Sequence, residues 1–144
     1  MNLPAKLNVQ KLQEVMSRLP QVELPTDHYF ADGMYCRRLF RPAGCTIVGK
    51  VHKKEHFYMV IKGQVAVYGD SGVKIYNPGD VIVSKPGTKR AVYAIEDSVC
   101  LTVHRTDSTI LDEIEQELIE PDETALFDSS NKAKQNVLVE RTES

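Results

Sequence analysis

The residues best suited to metal or proton chemistry are four histidines: His28, His52, His56 and His104. Two lie in the densest chemical stretch, Gly44-Cys45-Thr46-Ile47-Val48-Gly49-Lys50-Val51-His52-Lys53-Lys54-Glu55-His56. Strand alternation puts Lys50 and His52 on one face. A tight turn through Lys53-Lys54-Glu55 then returns His56 beside His52. Two neutral imidazoles held across such a turn can share a divalent metal, because their nitrogens suit Zn, Cu, Fe and Ni. Two histidines alone make a weak site, since a catalytic metal usually has three protein ligands. On the strand ending at His104, Val99, Leu101 and Val103 share one face, and Cys100, Thr102 and His104 the other. His104 is a third ligand or a wall if that mixed face looks inward. A lone strand histidine is more often an ordinary hydrogen-bonded residue, which is the preferred reading for His104. Tyr58 follows His56 by two residues, shares its inward face and offers a ring and a hydroxyl. His28 reads as a surface or packing residue.

The elements that must position these groups follow from periodicity. Residues 1–33 read as a helix and an arm: Asn8 is a cap, Val9, Leu12, Val15, Met16 and Leu19 recur at helical spacing, and Pro20 stops the run. Gln21 to Gly33 reads as an extended connection. Residues 34–106 alternate short β-rich runs with Gly- and Pro-containing turns. Strands are expected at Met34–Phe40, Cys45–His52, His56–Ile61, Gln64–Tyr68, Val73–Tyr76, Asp80–Ser84, Arg90–Ile95 and Val99–His104. Such punctuation predicts an all-β antiparallel barrel of jelly-roll type, which protects its sheet edges. Residues 107–121 return to helical period, with Ile110, Leu111, Ile114, Leu118 and Ile119 on one stripe and Thr109 and Asp112 as a weak capping box. Residues 122–144 read as a mobile, mostly polar tail, with Val137 to Val139 as a docking segment.

The stretch from Gly44 resembles the first motif of the cupins, which runs Gly, five residues, His-x-His, three or four residues, Glu, six residues, Gly. Gly44 and Gly63 fall at its ends; Lys50 stands at the first His position, His52 at the second and His56 at the Glu position. The run Gly79 to Arg90 resembles the second motif, with Pro86 one residue late and Arg90 at the third His. The resemblance covers about Met34 to Arg105 and implies a cupin double-stranded jelly roll. The particular strings Gly-Lys-x-His-Lys-x-Glu-His and Ser-Lys-Pro-Gly-Thr-Lys-Arg are similar to single-domain cupins encoded by tailed bacteriophages. Carried over position by position, two of four metal ligands are replaced by cations. Arg90 stays protonated and cannot ligate.

That exchange predicts a cationic pocket in the barrel mouth, built from Lys50, His52, His56, Tyr58 and Arg90. Arg offers a planar fork to carboxylate or phosphate. The expected function is binding of a small anion (phosphate-, nucleotide- or carboxylate-bearing), in a phage setting as a sequestering protein in the host cytoplasm. Two alternatives stand beside it: a metal-dependent cupin enzyme of isomerase or oxygenase type, and a virion or assembly protein. A divalent metal (Zn, Fe, Mn or Ni) on His52, His56 and His104 is the candidate cofactor. The structural reading of the cations pairs them with buried acids, Glu55 first.

The whole chain sets outer bounds. Its 144 residues suit one domain. A net charge of −2 and a pI of about 6.1 argue against electrostatic nucleic-acid binding. No apolar run reaches the ~18 residues of a membrane span, and no signal-peptide pattern opens the chain. Cys36, Cys45 and Cys100 are few and odd in number, which favours a reducing, cytoplasmic setting. The two apolar helix stripes offer faces for a homodimer or higher homo-oligomer.

Overall fold

A computed structural model describes residues 5–18, 23–70, 72–122 and 125–132. The expectations for Leu19, Pro20 and Val137 to Val139 lie outside them. Nine strands follow helix α1 (Ala5–Met16): β1 (Thr26–Ala31), β2 (Met34–Arg41), β3 (Thr46–Val48), β4 (His56–Lys62), β5 (Val65–Gly69), β6 (Gly72–Tyr76), β7 (Val81–Ser84), β8 (Ala91–Ala94) and β9 (Ser98–Arg105); helix α2 spans Leu111–Leu118. The strands form two facing sheets, β1-β2-β9-β4-β7 and β3-β8-β5-β6. Every strand pairing is antiparallel. The expected jelly-roll barrel with terminal helices is therefore present.

Two stretches depart from the sequence expectation. The connection over Gln21 to Gly33 contains a strand, β1, paired with β2 from Thr26 opposite Leu39 to Ala31 opposite Met34. The cause is the Asp32-Gly33 turn, where both residues take positive φ, 25° and 77°. That is the handedness of a two-residue hairpin loop, whose twist matches the strands it joins. Pro25 sits just before the strand, where its missing N–H removes no ladder bond. The second departure is the strand expected over Cys45 to His52, which is regular only at Thr46–Val48. Beyond it the chain is held from outside the sheet. His52 bridges to Ile119, Lys53 N–H donates to the Leu118 carbonyl at 2.7 Å, and Glu120 N–H donates to the Val51 carbonyl at 2.9 Å. The chain leaving α2, rather than strand alternation, thus positions His52.

The helices also differ in detail. Asn8 lies inside α1, where it donates to the Tyr68 hydroxyl at 2.9 Å instead of capping. The α2 N-cap is Ile110, with no side-chain capping bond. Thr109 is one position too early for its capping box. Ser108 Oγ accepts the Ile110 N–H at 3.1 Å instead. Of the α2 stripe, Ile114 and Leu118 are buried against Tyr35, while Ile110 is 56% exposed.

The inner end of the barrel is an apolar plug of Val60, Val65, Val67, Val92 and Cys100 beneath Tyr58. Gly63 turns β4 into β5 at φ 80°, and a Cβ there would meet the Asp97 carbonyl at 2.3 Å. Only glycine fits that approach. No helix among the described residues is long and apolar enough to cross a membrane.

Candidate metal centre

Above the plug the interior turns polar, and the five-stranded sheet supplies nearly all of the change. On β9, Ser98, Cys100, Thr102 and His104 are the buried set. The mixed face looks inward, so His104 lies in the interior, where it is hydrogen-bonded as its preferred reading expected and also stands beside the other two imidazoles. Phe57 pairs with Val103 across β4 and β9, so the next step of the ladder puts His56 beside His104. His52 comes in from the loop. The ring centroids lie 4.1 Å apart for His52 and His56, 4.5 Å for His56 and His104, and 5.2 Å for His52 and His104. One ligand nitrogen from each falls within 4.8 Å of the other two.

The donor set fits a divalent metal. His56 Nδ1 is sealed from solvent and has no hydrogen-bond partner. His52 Nδ1 donates to the Lys50 carbonyl at 3.1 Å, which leaves its Nε2 lone pair for a ligand bond. His104 Nε2 pairs with Thr102 Oγ1 at 2.9 Å. Burial, with neighbouring charge from Arg37, holds all three rings neutral: His52 falls to about 3, His56 to about 4 and His104 to about 2. Neutral imidazole is the ligating form. A bound ion would supply Lewis-acid character and open positions for an anion.

Cations crowd the same space. The cavity of about 160 Å³ is lined by Lys50, His52, His56, Tyr58, Arg90 and His104, so every residue expected at the site reaches it. Lys50 is bonded to Glu115 of α2 at 2.5 Å. Glu55, the acid expected to neutralise the pocket, instead pairs with Lys85 on the surface at 2.8 Å. Sequence reasoning missed two further arginines. Strand β2 turns Tyr35, Arg37, Leu39 and Arg41 inward, and all four line the cavity. The apolar pair Tyr35 and Leu39 was the available signal, since alternation places Arg37 and Arg41 on their face. Arg41 donates through Nη1 to the Tyr58 hydroxyl at 2.8 Å. The Nε atoms of Arg37 and Arg41 are buried without partners. Burial pulls the pKa of Arg37 and Arg90 down and pushes that of Tyr58 up to about 12.

The outer wall is closed from both ends of the chain. Gln13 of α1 donates to Asp122 Oδ2 at 3.0 Å, and the fully buried Lys89 reaches the same oxygen at 3.1 Å. Ala125 and Leu126 are buried and, with Phe127, line the cavity. The first part of the expected tail therefore forms a wall of the site. His28 packs as expected, its Nδ1 2.6 Å from the Tyr35 hydroxyl.

Residues 38–104 match the family described as "Cupin domain". The barrel has the cupin fold. Solved structures align with it at low identity. KdgF from Halomonas sp. is 14% identical, with a TM-score of 0.54 over 61% of this chain and 84% of that one. An RmlC-like cupin from Shewanella frigidimarina is 15% identical, with 0.52 over 60% and 79%. DddQ, a DMSP lyase from Ruegeria pomeroyi, is 16% identical, with 0.52 over 61% and 49%. No curated protein sequence matches the chain. His52 and His56 come from the two ends of one short loop, and His104 completes three imidazoles from the last barrel strand.

Proposed function

We propose that this cupin holds a divalent transition metal on His52, His56 and His104. It binds a small anion, carrying carboxylate or phosphate, in the cavity beside that site. The observation that carries this reading is a charge imbalance. Arg37, Arg41 and Arg90 line the cavity, while its described carboxylates are Glu115 and Asp128, outside the strands. Glu115 is bonded to Lys50, and Asp128 accepts from Ser130 and Lys132. Buried charge without a partner is strongly unfavourable, and an anion would relieve it. It would also separate the metal from the guanidinium groups, which otherwise repel it. The cavity volume supports a small carboxylate or phosphate over a nucleotide, since about 150 Å³ holds a molecule of benzene size.

Binding without turnover fits the sequestering role expected from the resemblance to phage-encoded cupins. A metal-dependent enzyme is the second reading. Three protein ligands leave coordination positions open, as in catalytic sites, and the protonated Tyr58 hydroxyl stands within the cavity. Three free thiols, Cys36, Cys45 and Cys100, support a cytoplasmic setting. Self-association is supported by the outer face of the five-stranded sheet, where Phe57, Ile61, Val81 and Val83 are each about half exposed.

Native mass spectrometry of the full chain, with elemental analysis, tests the proposal. One metal per chain and a co-purifying anion are expected, the anion being lost in Arg90→Ala. A chain free of metal after expression in supplemented medium, and indifferent to acetate and phosphate in calorimetry, would overturn it. Turnover of a candidate substrate by the metal-loaded chain would favour the enzyme.

A further inference from the structure

The cavity has two separate places for negative charge. Arg37 stands opposite Thr102 of β9, and Arg41 stands opposite Ser98, four residues further along the same inward face. Thr102, opposite Arg37, pairs with His104 Nε2 at 2.9 Å, which sets Arg37 towards the imidazole end. Arg41 instead lies against Tyr58, its guanidinium carbon 5.9 Å from the ring centroid. Each arginine keeps one buried Nε–H that nothing among the described residues accepts. We propose that the ligand carries two anionic groups on a short spacer, one received at the imidazole end by Arg37 and one at the inner end by Arg41. This rests on the anion-binding reading above and specifies the ligand class.

Three features converge on a dianion. The first is the positions of the orphan donors. A single carboxylate at the imidazole end would leave the Arg41 Nε–H unmatched, and buried unmatched donors are rare because they lose their hydration without return. The second is the donor pattern at the inner end. Tyr58 accepts from Arg41 Nη1 and its own O–H is engaged with Cys100, so Arg41 Nε–H is the donor left unmatched at that end. That N–H suits an oxygen of a carboxylate or a phosphate as a charge-assisted pair. The third is size. A cavity of about 160 Å³ fits a dicarboxylate of three to five carbons or its phosphonate counterpart. Leu39, Val67 and Val92 also line the cavity and give an aliphatic spacer apolar wall to meet.

Isothermal titration calorimetry on the full chain tests this with chain-matched pairs: malonate against propionate, succinate against butyrate, and glutarate against valerate. 3-Phosphonopropionate distinguishes phosphate from carboxylate. The best dianion is expected to bind at least about tenfold tighter than its monoanion. Charge-assisted pairs of this kind are the strong ones. Arg41→Met is expected to erase that advantage, so that dianion and monoanion bind alike; Arg41→Lys, which keeps the charge, should retain part of it. The wild-type series needs no variant, so misfolding of Arg41→Met does not leave the question open. Equal binding of dianion and monoanion, or equal weakening of both by Arg41→Met, would overturn the two-ended ligand and leave the anion pocket standing. Binding of none of these probes would overturn both.

Discussion

The two sheets of the barrel have the same alternating pattern but opposite interiors. The inner face of the four-stranded sheet is small and apolar, with Val65, Val67, Val92 and Ala94 all buried. The inner face of the five-stranded sheet carries Tyr35, Arg37, Arg41, His56, Tyr58, Thr102 and His104. One sheet is built for packing, and the other carries polar groups that packing alone does not need. The difference teaches where stability and function separate. A polar interior is unfavourable to folding unless each group finds a partner, and here three groups, Arg37 Nε, Arg41 Nε and His56 Nδ1, find none within the described protein. Those vacancies lie on the five-stranded sheet alone.

The comparison can be broken most directly at the imidazoles. His104→Ala is expected to reduce retained metal to under about a tenth after dialysis, because a site with three protein ligands loses one; elemental analysis reads this. Full retention would mean that His104 is a wall and not a ligand. Arg37→Met is next. It should weaken anion binding by at least about tenfold, with metal-free stability unchanged or raised, because the variant removes a buried Nε–H that finds no acceptor among the described residues. Calorimetry and urea denaturation together decide, and lowered stability would show Arg37 to be structural. On the opposite sheet the signs reverse. Val65→Ala should lower unfolding stability by about 2 kcal/mol, with anion affinity unchanged.

The acid response sharpens the same contrast. The three histidines titrate near 6.5 when unfolded and are depressed in the folded protein. Below pH 6.5 the unfolded chain therefore binds protons that the folded chain refuses, so stability falls as pH drops from about 6.5 towards the folded values. Metal-free protein should lose stability between pH 7 and 5, with a shallower slope in His104→Gln. Equal slopes would place the acid sensitivity elsewhere. The smallest expected effect lies outside both interiors. Glu55 and Lys85 pair at 2.8 Å with side chains 55% and 71% exposed, so Lys85→Ala should change stability by less than about 0.5 kcal/mol.

Much of the fold was legible because turns and alternation are local. The eight expected strands are present, and Gly63 and Gly79 sit at turns with positive φ. Strand β1 was missed although Asp32-Gly33 announced it, because the flanking Pro25 and Asp27 suggested a loop. The site was half legible. His52, His56, Lys50, Tyr58 and Arg90 follow from motif position and line the cavity. Arg37 and Arg41 carried the same alternation signal as Tyr35 and Leu39, but arginine on an apolar face reads as a surface residue until the barrel closes around it.

The sequence by itself determined the β-rich barrel and its two helices. These depend on residue type and short spacing, which are local. Only the tertiary structure decided that the mixed face of β9 points inward, that the chain leaving α2 carries His52 into the site, and that Glu115 neutralises Lys50 from 65 residues away. Alternation establishes that two faces exist; which one is buried depends on what the other sheet and the helices leave to be filled.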